Sequence, residues 1–397
     1  MVHCGHYHVD WNTLIEVQYL LSTEYGPLIN KISTGSLILW ELQPALTFRG
    51  PRSLLLDRTI GFNDLAQELS LFNALLMHRL KHSTDPRDKV YALVGLTSAR
   101  NDPAYTINYS RSVRQVYIDT VDYILKTSRH LEIICAKTRG DHEFDLPSWV
   151  PNLASTGATC PIPHRHASTK CVYDASKNRQ SDASILHEEG ILKAKGIRLN
   201  SIKHTSDISE IASLSDFYHS YKALHVWYKF LITHQPSLRQ DERFTRLILG
   251  DIIPERSINY GRLFPHFNHL QDTWGAIIKQ GPFSFPDLES HASLKYLVDG
   301  NYFNDNTLSH WGNTLSQKFF KRRLFITESG DIGLAGEEVA EGDILCVIFG
   351  CSIPVILRAV DDHFIFASDA SVIDYMFGKG IDELEMGERE EEVFEIH

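Results

Sequence analysis

Apolar residues recur at helical spacing in successive stretches between residues 62 and 124. The first stretch predicts a helix from Phe62 to Leu80, which Asp64 and Gln67 would begin as a capping box. The last stretch predicts a helix that Ser110 caps and whose apolar face packs inward. That face consists of Val113, Val116, Tyr117, Val121 and Ile124. Three successive amphipathic helices therefore predict a small helical layer.

The middle helix of the three lies in residues 82–96, where both of its ends are marked in the sequence. Asp85 is predicted to cap its first N–H groups, and Pro86 suits the first helical position. Asp88 adds negative charge to the positive first turn, and Gly95 is predicted to end the helix in the left-handed conformation. Because a helix this short is marginal in water, we predict that it is buried, and we call it the keystone helix. Its apolar face is formed by Val90, Tyr91 and Val94.

Two further segments complete the predicted first domain. The run Leu131–Ala136 is almost entirely apolar and predicts a buried strand. The segment Leu146-Pro147-Ser148-Trp149-Val150-Pro151 is predicted to be irregular, because its two prolines force extended backbone around Trp149. The indole is predicted to lie against the helices and to close the domain, with a boundary after residue 153.

The remaining chain predicts a helical middle and a β-rich end. A strand is predicted at 191–197, followed by mostly helical structure from 208 to 311. Four short strands with tight turns lie between residues 323 and 366, which predicts a small antiparallel barrel or rolled sheet. The predicted fold class is α+β. The predicted domains are 1–153, 154–380 and an acidic tail at 381–397.

The net charge of −11 is concentrated at the end of the chain. Eight carboxylates against one arginine give residues 381–397 a charge of −7, so the other residues together carry −4. A body this close to neutral lacks the basic surface that phosphate backbones require, so nucleic acid is not expected as a partner. The acidic tail is predicted to be solvated and partly disordered.

Six cysteines are scattered along the chain, a pattern typical of reduced thiols rather than of a disulfide framework. The N-terminus lacks the basic and apolar regions of a signal peptide. No apolar run approaches the roughly 18 residues of a membrane span. The sequence therefore predicts a soluble, cytoplasmic protein.

Two clusters of metal-ligand residue types allow both a metal site and an ordinary structural role. Two thiols and two imidazoles of the kind that bind structural zinc lie within residues 160–171, but their spacing is not that of a known zinc site. An exposed polar loop is favoured there, and no metal site is predicted. The first cluster is Cys160, His164, His166 and Cys171. The second cluster is His3, Cys4, His6 and His8. An alternating strand at this position would place His6 and His8 on one face.

Asp85, Arg87 and Asp88 allow two interpretations, an acid–base set or a fixed structural group. The capping roles of both aspartates favour the structural group, in which Arg87 binds a carboxylate or a neighbouring carbonyl. The sequence lacks a nucleophile elbow, a dinucleotide or phosphate loop and a zinc-protease motif. No catalytic residue and no cofactor are therefore predicted.

The segment Asp85–Leu96 resembles the most recognisable motif of fungal heterokaryon-incompatibility (HET) domain proteins. The order of later segments fits the same family: Asn108-Tyr109-Ser110, Val116-Tyr117, and Leu146–Pro151, although Asn152-Leu153 stands where the family has Asp-Trp. Near the end, three segments are also similar to the family: Thr327–Gly330, Gly342-Asp343 and Pro354–Arg358. The usual family ending is replaced by Val372–Gly378.

The early half of the HET domain, with its two aromatic motifs, is absent from the sequence. The resemblance thus implies a truncated HET domain, and Tyr7–Trp11 is predicted to be a strand whose partner lay in a preceding segment. The family implies nonself recognition and programmed cell death, through binding to the product of an incompatible allele or to a downstream effector. A second hypothesis is an enzyme of Toll/interleukin-receptor type that cleaves NAD and is inactive when truncated. A third is an accessory protein of a biosynthetic cluster.

Overall fold

The structure is a computed structural model that describes residues 2–4, 7–9, 70–79, 81–136, 143–155, 173–209, 217–237, 243–249 and 320–397. The chain divides into two compact units, Met1–Glu68 and Leu69–His397. In the first unit, strands β1 (Val2–Cys4) and β2 (Tyr7–Val9) pair antiparallel. The strand predicted at Tyr7 therefore has one partner within the chain, and the expectation of a further partner in a preceding segment stays a prediction. The predictions made for residues 10–69 lie outside the described residues.

The described residues of the second unit include six α-helices. They are α1 (Leu71–His78), α2 (Asp88–Val94, the keystone helix), α3 (Val113–Ser128), α4 (Phe217–His234), α5 (Arg243–Leu249) and α6 (Lys379–Glu385). Short 3₁₀ helices lie at Ser98–Asn101, Glu132–Ala136, Glu143–Asp145 and Ile373–Phe377. The helical middle predicted from residue 208 contains α4 and α5, and residues 250–319 lie outside the described residues. None of the helices in the described ranges has the length and apolarity that a membrane span requires.

The caps of α1 and α3 differ from those predicted. Ser70, in extended backbone conformation, accepts a hydrogen bond from the backbone N–H of Asn73 (3.2 Å), so α1 starts there and not within a longer helix. Helix α3 is capped by Ser112 rather than Ser110. Gln115 explains this choice, because its side chain completes a capping box with the Ser112 backbone.

The keystone helix is buried as predicted, and its two ends agree with the prediction to different degrees. The Asp85 carboxylate accepts a hydrogen bond from the backbone N–H of Arg87 (2.9 Å), directly before the helix, and also binds the Arg87 guanidinium. Gly95 has a φ of −63°, so the predicted left-handed ending is wrong and the chain leaves through right-handed turns. The predicted apolar face is confirmed, since three side chains are almost wholly inaccessible to solvent. These are Val90, Tyr91 and Val94.

A mainly antiparallel sheet forms the other half of this unit. Its strands are β3 (Ala183–Leu186), β4 (Ile191–Thr205), β5 (Arg322–Thr327), β6 (Ile332–Gly336), β7 (Ile344–Ile348), β8 (Val355–Val360), β9 (His363–Val372) and β10 (Glu391–Ile396). The sheet closes in a ring through β4, β5, β6, β9, β8 and β7 and back to β4. Gly196 lies where β4 and β7 approach closely, since a Cβ there would collide with the Val347 carbonyl oxygen. The chain is thus α+β with a C-terminal antiparallel sheet.

Trp149 is wholly buried where the helices meet the sheet. Its Nε1 donates to the Gly190 carbonyl (3.0 Å), and it shares one core with Val121 of α3 and Ile348 of β7. The segment around it is irregular, as predicted. The domain boundary after residue 153 stays a prediction, while the described residues on both sides of it contribute to this core.

The run Leu131–Ala136 is buried but is not a strand. It forms a 3₁₀ helix at Glu132–Ala136, whose start is closed by a hydrogen bond from Ile134 N to Leu131 O (3.1 Å). The prediction failed because a six-residue apolar run fits a buried strand and a buried helical turn equally well.

Residues 381–397 are not a partly disordered tail. They contain the end of α6 and strand β10, which pairs antiparallel with β4 from Glu391–Ile197 to Ile396–Leu192. Phe394 and Ile396 are fully buried, while carboxylates of residues 381–397 form ion pairs with nearby cations. The pairs are Lys193–Glu395, Arg198–Glu392, Arg179–Glu391, Lys177–Asp382 and Arg389–Glu383.

Candidate functional site

Arg87 is the centre of a hydrogen-bonded group at the start of the keystone helix. Its Nε and Nη2 atoms donate to the two carboxylate oxygens of Asp85 at 3.0 and 2.7 Å. Its Nη1 donates to the carbonyls of Tyr109 (2.5 Å) and Arg111 (3.1 Å). The hydrogen bonds between Arg87 and Asp85 lower the pKa of the Asp85 carboxyl and raise the pKa of the Arg87 guanidinium. The sequence-predicted pair is therefore present, and it fixes the loop that precedes α3.

Asp88 and Tyr91 hold the same loop from the next turn of the helix. The Tyr109 hydroxyl donates to Asp88 (2.5 Å), and this hydrogen bond raises the pKa of Tyr109. The Tyr91 hydroxyl donates to the Asn108 carbonyl (3.0 Å). The rings of Tyr91 and Tyr109 meet edge to face, with centroids 5.0 Å apart. Asp88 is thus engaged in holding the loop rather than placed beside Asp85 as an acid–base partner.

Lys89 is a buried cation with a structural explanation. Its Nζ donates to the carbonyl oxygens of Arg79 (2.9 Å) and Lys81, which follow the last turn of α1. Burial, and then the charge of Arg79, lowers the pKa of Lys89. An ammonium at this position satisfies carbonyls at the negative end of α1, as a C-terminal capping group does.

The Arg87→Ala variant is expected to have a lower melting temperature than the wild type. It leaves the Asp85 carboxylate without its cation and removes both bonds to the loop before α3. Arg87→Lys should recover only part of the loss, because an ammonium lacks the fork that spans a carboxylate and two carbonyls. Arg100→Ala, at an exposed position, is the control. An unchanged melting temperature for Arg87→Ala would contradict the structural role.

A cleft of about 190 Å³ lies between α3 and the chain segment that Arg87 fixes. Tyr105 and Tyr123 form its aromatic wall, with ring centroids 4.9 Å apart and an interplanar angle of 71°. The Tyr105 hydroxyl shares a hydrogen bond with Thr120 (2.9 Å), and the Tyr123 hydroxyl donates to Asp102 (2.9 Å). Each tyrosine of this wall is therefore held in place by a hydrogen bond of its hydroxyl.

Charged side chains at this cleft are balanced. Arg111 pairs with Asp119, and Lys126 pairs with Asp122 at 2.6 Å. His187 stands between the two carboxylates, with Nδ1 3.3 Å from Asp119 and Nε2 3.0 Å from Asp122. Both aspartates are engaged by cations and by the imidazole. The arrangement suits a binding surface with polar and aromatic contacts better than acid–base chemistry.

Alkaline pH is expected to destabilise the folded chain through three tyrosines. Burial, as the first cause, raises the pKa of Tyr105, Tyr123 and Tyr375 to about 12. Because the unfolded value is about 10, their contribution is fully present below that pH and is lost as pH rises through about 12. Tyrosinate absorbance and melting temperature followed against pH test this. Tyr105→Phe should move the alkaline transition to higher pH, and titration of every tyrosine near pH 10 in the folded protein would contradict it.

The two candidate metal-ligand clusters, at which no metal site was predicted, lie mostly outside the described residues. Cys160, His164, His166 and Cys171 lie outside the described residues, as does His6. His3 and His8 are opposite each other in the β1–β2 pair. Within the described ranges, no group of three His, Cys, Asp or Glu residues is placed to hold a metal ion.

The residues that form the cleft were not identified from the sequence. One usable signal was present: Asp119 and Asp122 are three residues apart on α3 and therefore lie on one helix face. Tyr105 and His187 carried no signal, because both lie in irregular segments without a residue pattern that indicates a site.

These observations define a class of site, a surface cleft held by a buried helical motif. Compared with known proteins, the chain matches no protein-family model, no curated protein and no solved structure. The function is therefore argued from the motif and the surface beside it.

Proposed function

We propose that this chain is a heterokaryon-incompatibility-type protein that acts in nonself recognition and programmed cell-death signalling by binding protein partners in the cytoplasm. The partners would be an incompatible allele product or a downstream effector. Support comes from the resemblance of Asp85–Leu96 to the HET motif and from the hydrogen bonds that the polar side chains of this motif form within the protein. The finer fold belongs to the same proposal: the later half of a HET domain followed by a small barrel of strands.

One observation carries the proposal. The polar side chains of the motif from Asp85 to Tyr91 bind carbonyls, hydroxyls or one another, and so act as scaffold. The segment that they fix presents Ile107 and Tyr109 with 48% and 51% of their surfaces exposed. A fixed segment with exposed apolar side chains is suited to contact with another protein.

Inducible expression in a fungal host tests the proposal. The wild-type chain should arrest growth, and Ile107→Asp should relieve the arrest at an equal protein level, since it places a charge on the proposed contact surface. Met386→Asp is the matched control, because Met386 is also an exposed apolar residue but lies after α6. Absence of arrest by the wild type, or equal arrest by Ile107→Asp, would contradict the proposal.

A second assay separates this proposal from the enzyme hypothesis. Purified protein is incubated with NAD and the release of nicotinamide is followed. No release above that of a heat-denatured sample is expected, because the cleft carboxylates are engaged in ion pairs. Steady release would favour an NAD-cleaving enzyme over an interaction protein.

A further inference from the structure

Two buried cysteines from distant parts of the chain meet between the helical layer and the sheet. Cys135 belongs to the 3₁₀ helix Glu132–Ala136, and Cys351 follows strand β7. Both side chains belong to the same hydrophobic core, each thiol affects the ionisation of the other, and both are free cysteines. Cys351 is fully buried and Cys135 is 6% exposed.

The backbone on each side of the two thiols is fixed, so their contact does not depend on flexible loops. Leu131 N donates to the Gly350 carbonyl (2.9 Å), which joins the start of the segment that carries Cys135 to the residue before Cys351. Cys351 N donates to Ile348 O (3.0 Å) and closes the turn after β7. Gly350 has a φ of +88°, a conformation that glycine adopts without strain, and a Cβ there would collide with Ser181.

We propose that Cys135 and Cys351 form an oxidisable dithiol that closes to a disulfide with hydrogen peroxide as the oxidant. The sulfur of Cys135, the residue with the larger exposed fraction, attacks one peroxide oxygen, the O–O bond breaks, and water leaves from the other oxygen. The Cys351 sulfur then attacks the sulfenic sulfur of Cys135 and displaces a second water. The two thiols lose two electrons and two protons, and the peroxide is reduced to two waters.

The surroundings of the pair make the reaction slow but its product durable. The hydrogen bond with Cys351, and then burial, raises the pKa of the Cys135 thiol, as do the nearby carboxylates of Asp369 and Glu132. Little thiolate is therefore available at neutral pH. Once formed, the bond would join the 3₁₀ helix to the sheet across a long stretch of chain, where a cross-link restricts the unfolded state most.

Peptide mapping of the full chain tests the proposal. Purified protein is treated with hydrogen peroxide, then denatured in excess iodoacetamide and digested without reductant. The expected product is a peptide pair linked through Cys135 and Cys351, lighter by two hydrogens than the separate thiol peptides. Cys346 is the internal control, since it is fully buried and its Sγ lies 3.7 Å from the Ile344 carbonyl oxygen. The Cys346 thiol should not react with peroxide and should therefore be recovered in its alkylated form.

Matched variants give a second measurement. Peroxide should raise the melting temperature of the wild type by about 5 °C. It should leave Cys351→Ser unchanged, whereas Cys346→Ser should still respond. Alkylation of both Cys135 and Cys351 after peroxide, pairing of Cys135 with another cysteine, or oxidation of Cys346 at the same rate would overturn the proposal. The mapping on the wild type decides the matter even if a variant fails to fold.

Discussion

Replacement of Arg322 by methionine is expected to lower the free energy of unfolding by about 3–5 kcal/mol. Arg322 in β5 donates from Nη1 and Nη2 to the two carboxylate oxygens of Asp369 in β9, at 2.9 and 2.8 Å. The side chains are 3% and 5% exposed. Methionine would fill much of the same space but leave the Asp369 carboxylate buried without its cation.

The melting temperature and the urea midpoint of Arg322→Met measure this loss. Arg322→Met combined with Asp369→Leu should be more stable than Arg322→Met alone, because the uncompensated charge is removed as well. Arg179→Met is the matched control, since Arg179 pairs with Glu385 at the surface, and it should change stability by about 1 kcal/mol or less. Equal melting temperatures for the single and double variants would show that the buried charge is not the source of the loss.

Elements whose signal is local were predicted well. The keystone helix was found because its apolar residues, Val90, Tyr91 and Val94, recur at helical spacing within one short segment. The C-terminal strands were found because apolar runs are separated by turn residues, as at Asp361-Asp362 between β8 and β9. In both cases the information lies within about ten residues of the element.

Errors arose where two local signals competed. Ser110 and Ser112 are both suitable caps, and only Ser112 has a glutamine three residues later. Gly95 fits a left-handed ending, yet a right-handed turn leads directly into the 3₁₀ helix Ser98–Asn101. The cleft was beyond prediction for a different reason, since His187 reaches Asp119 and Asp122 only after β3 and α3 have packed together.

The acidic C-terminal segment contains an alternation of buried and exposed residues that its net charge alone does not reveal. Residues 391–396 read Glu-Glu-Val-Phe-Glu-Ile, in which Phe394 and Ile396 alternate with residues that face outward. The carboxylates Glu392 and Glu395 are matched by cations on β4, whose position opposite them no local pattern reveals. Three of the eight carboxylates lie in β10, three in α6 and two in the turn between them, so the net charge of −7 belongs to folded elements and not to a disordered segment.

Phe394→Ala is accordingly expected to lower the free energy of unfolding by about 3–5 kcal/mol. Phe394 is fully buried in the core that contains Trp149, and its ring meets that of Phe364 edge to face at 5.3 Å. Truncation would leave a cavity between β10 and β9 and would loosen the last strand of the sheet. Thermal and urea unfolding measure the effect, and hydrogen exchange of residues 391–396 shows whether the strand itself opens.

Val393→Ala provides the matched control on the neighbouring residue. Val393 is 52% exposed and lies on the opposite face of β10, so its truncation should change stability by about 0.5 kcal/mol or less. The contrast between adjacent residues is the signature of a strand with one buried face, because a disordered tail would tolerate both changes equally. Similar melting temperatures for Phe394→Ala and Val393→Ala would therefore place residues 391–396 outside the folded core and contradict the pairing of β10 with β4.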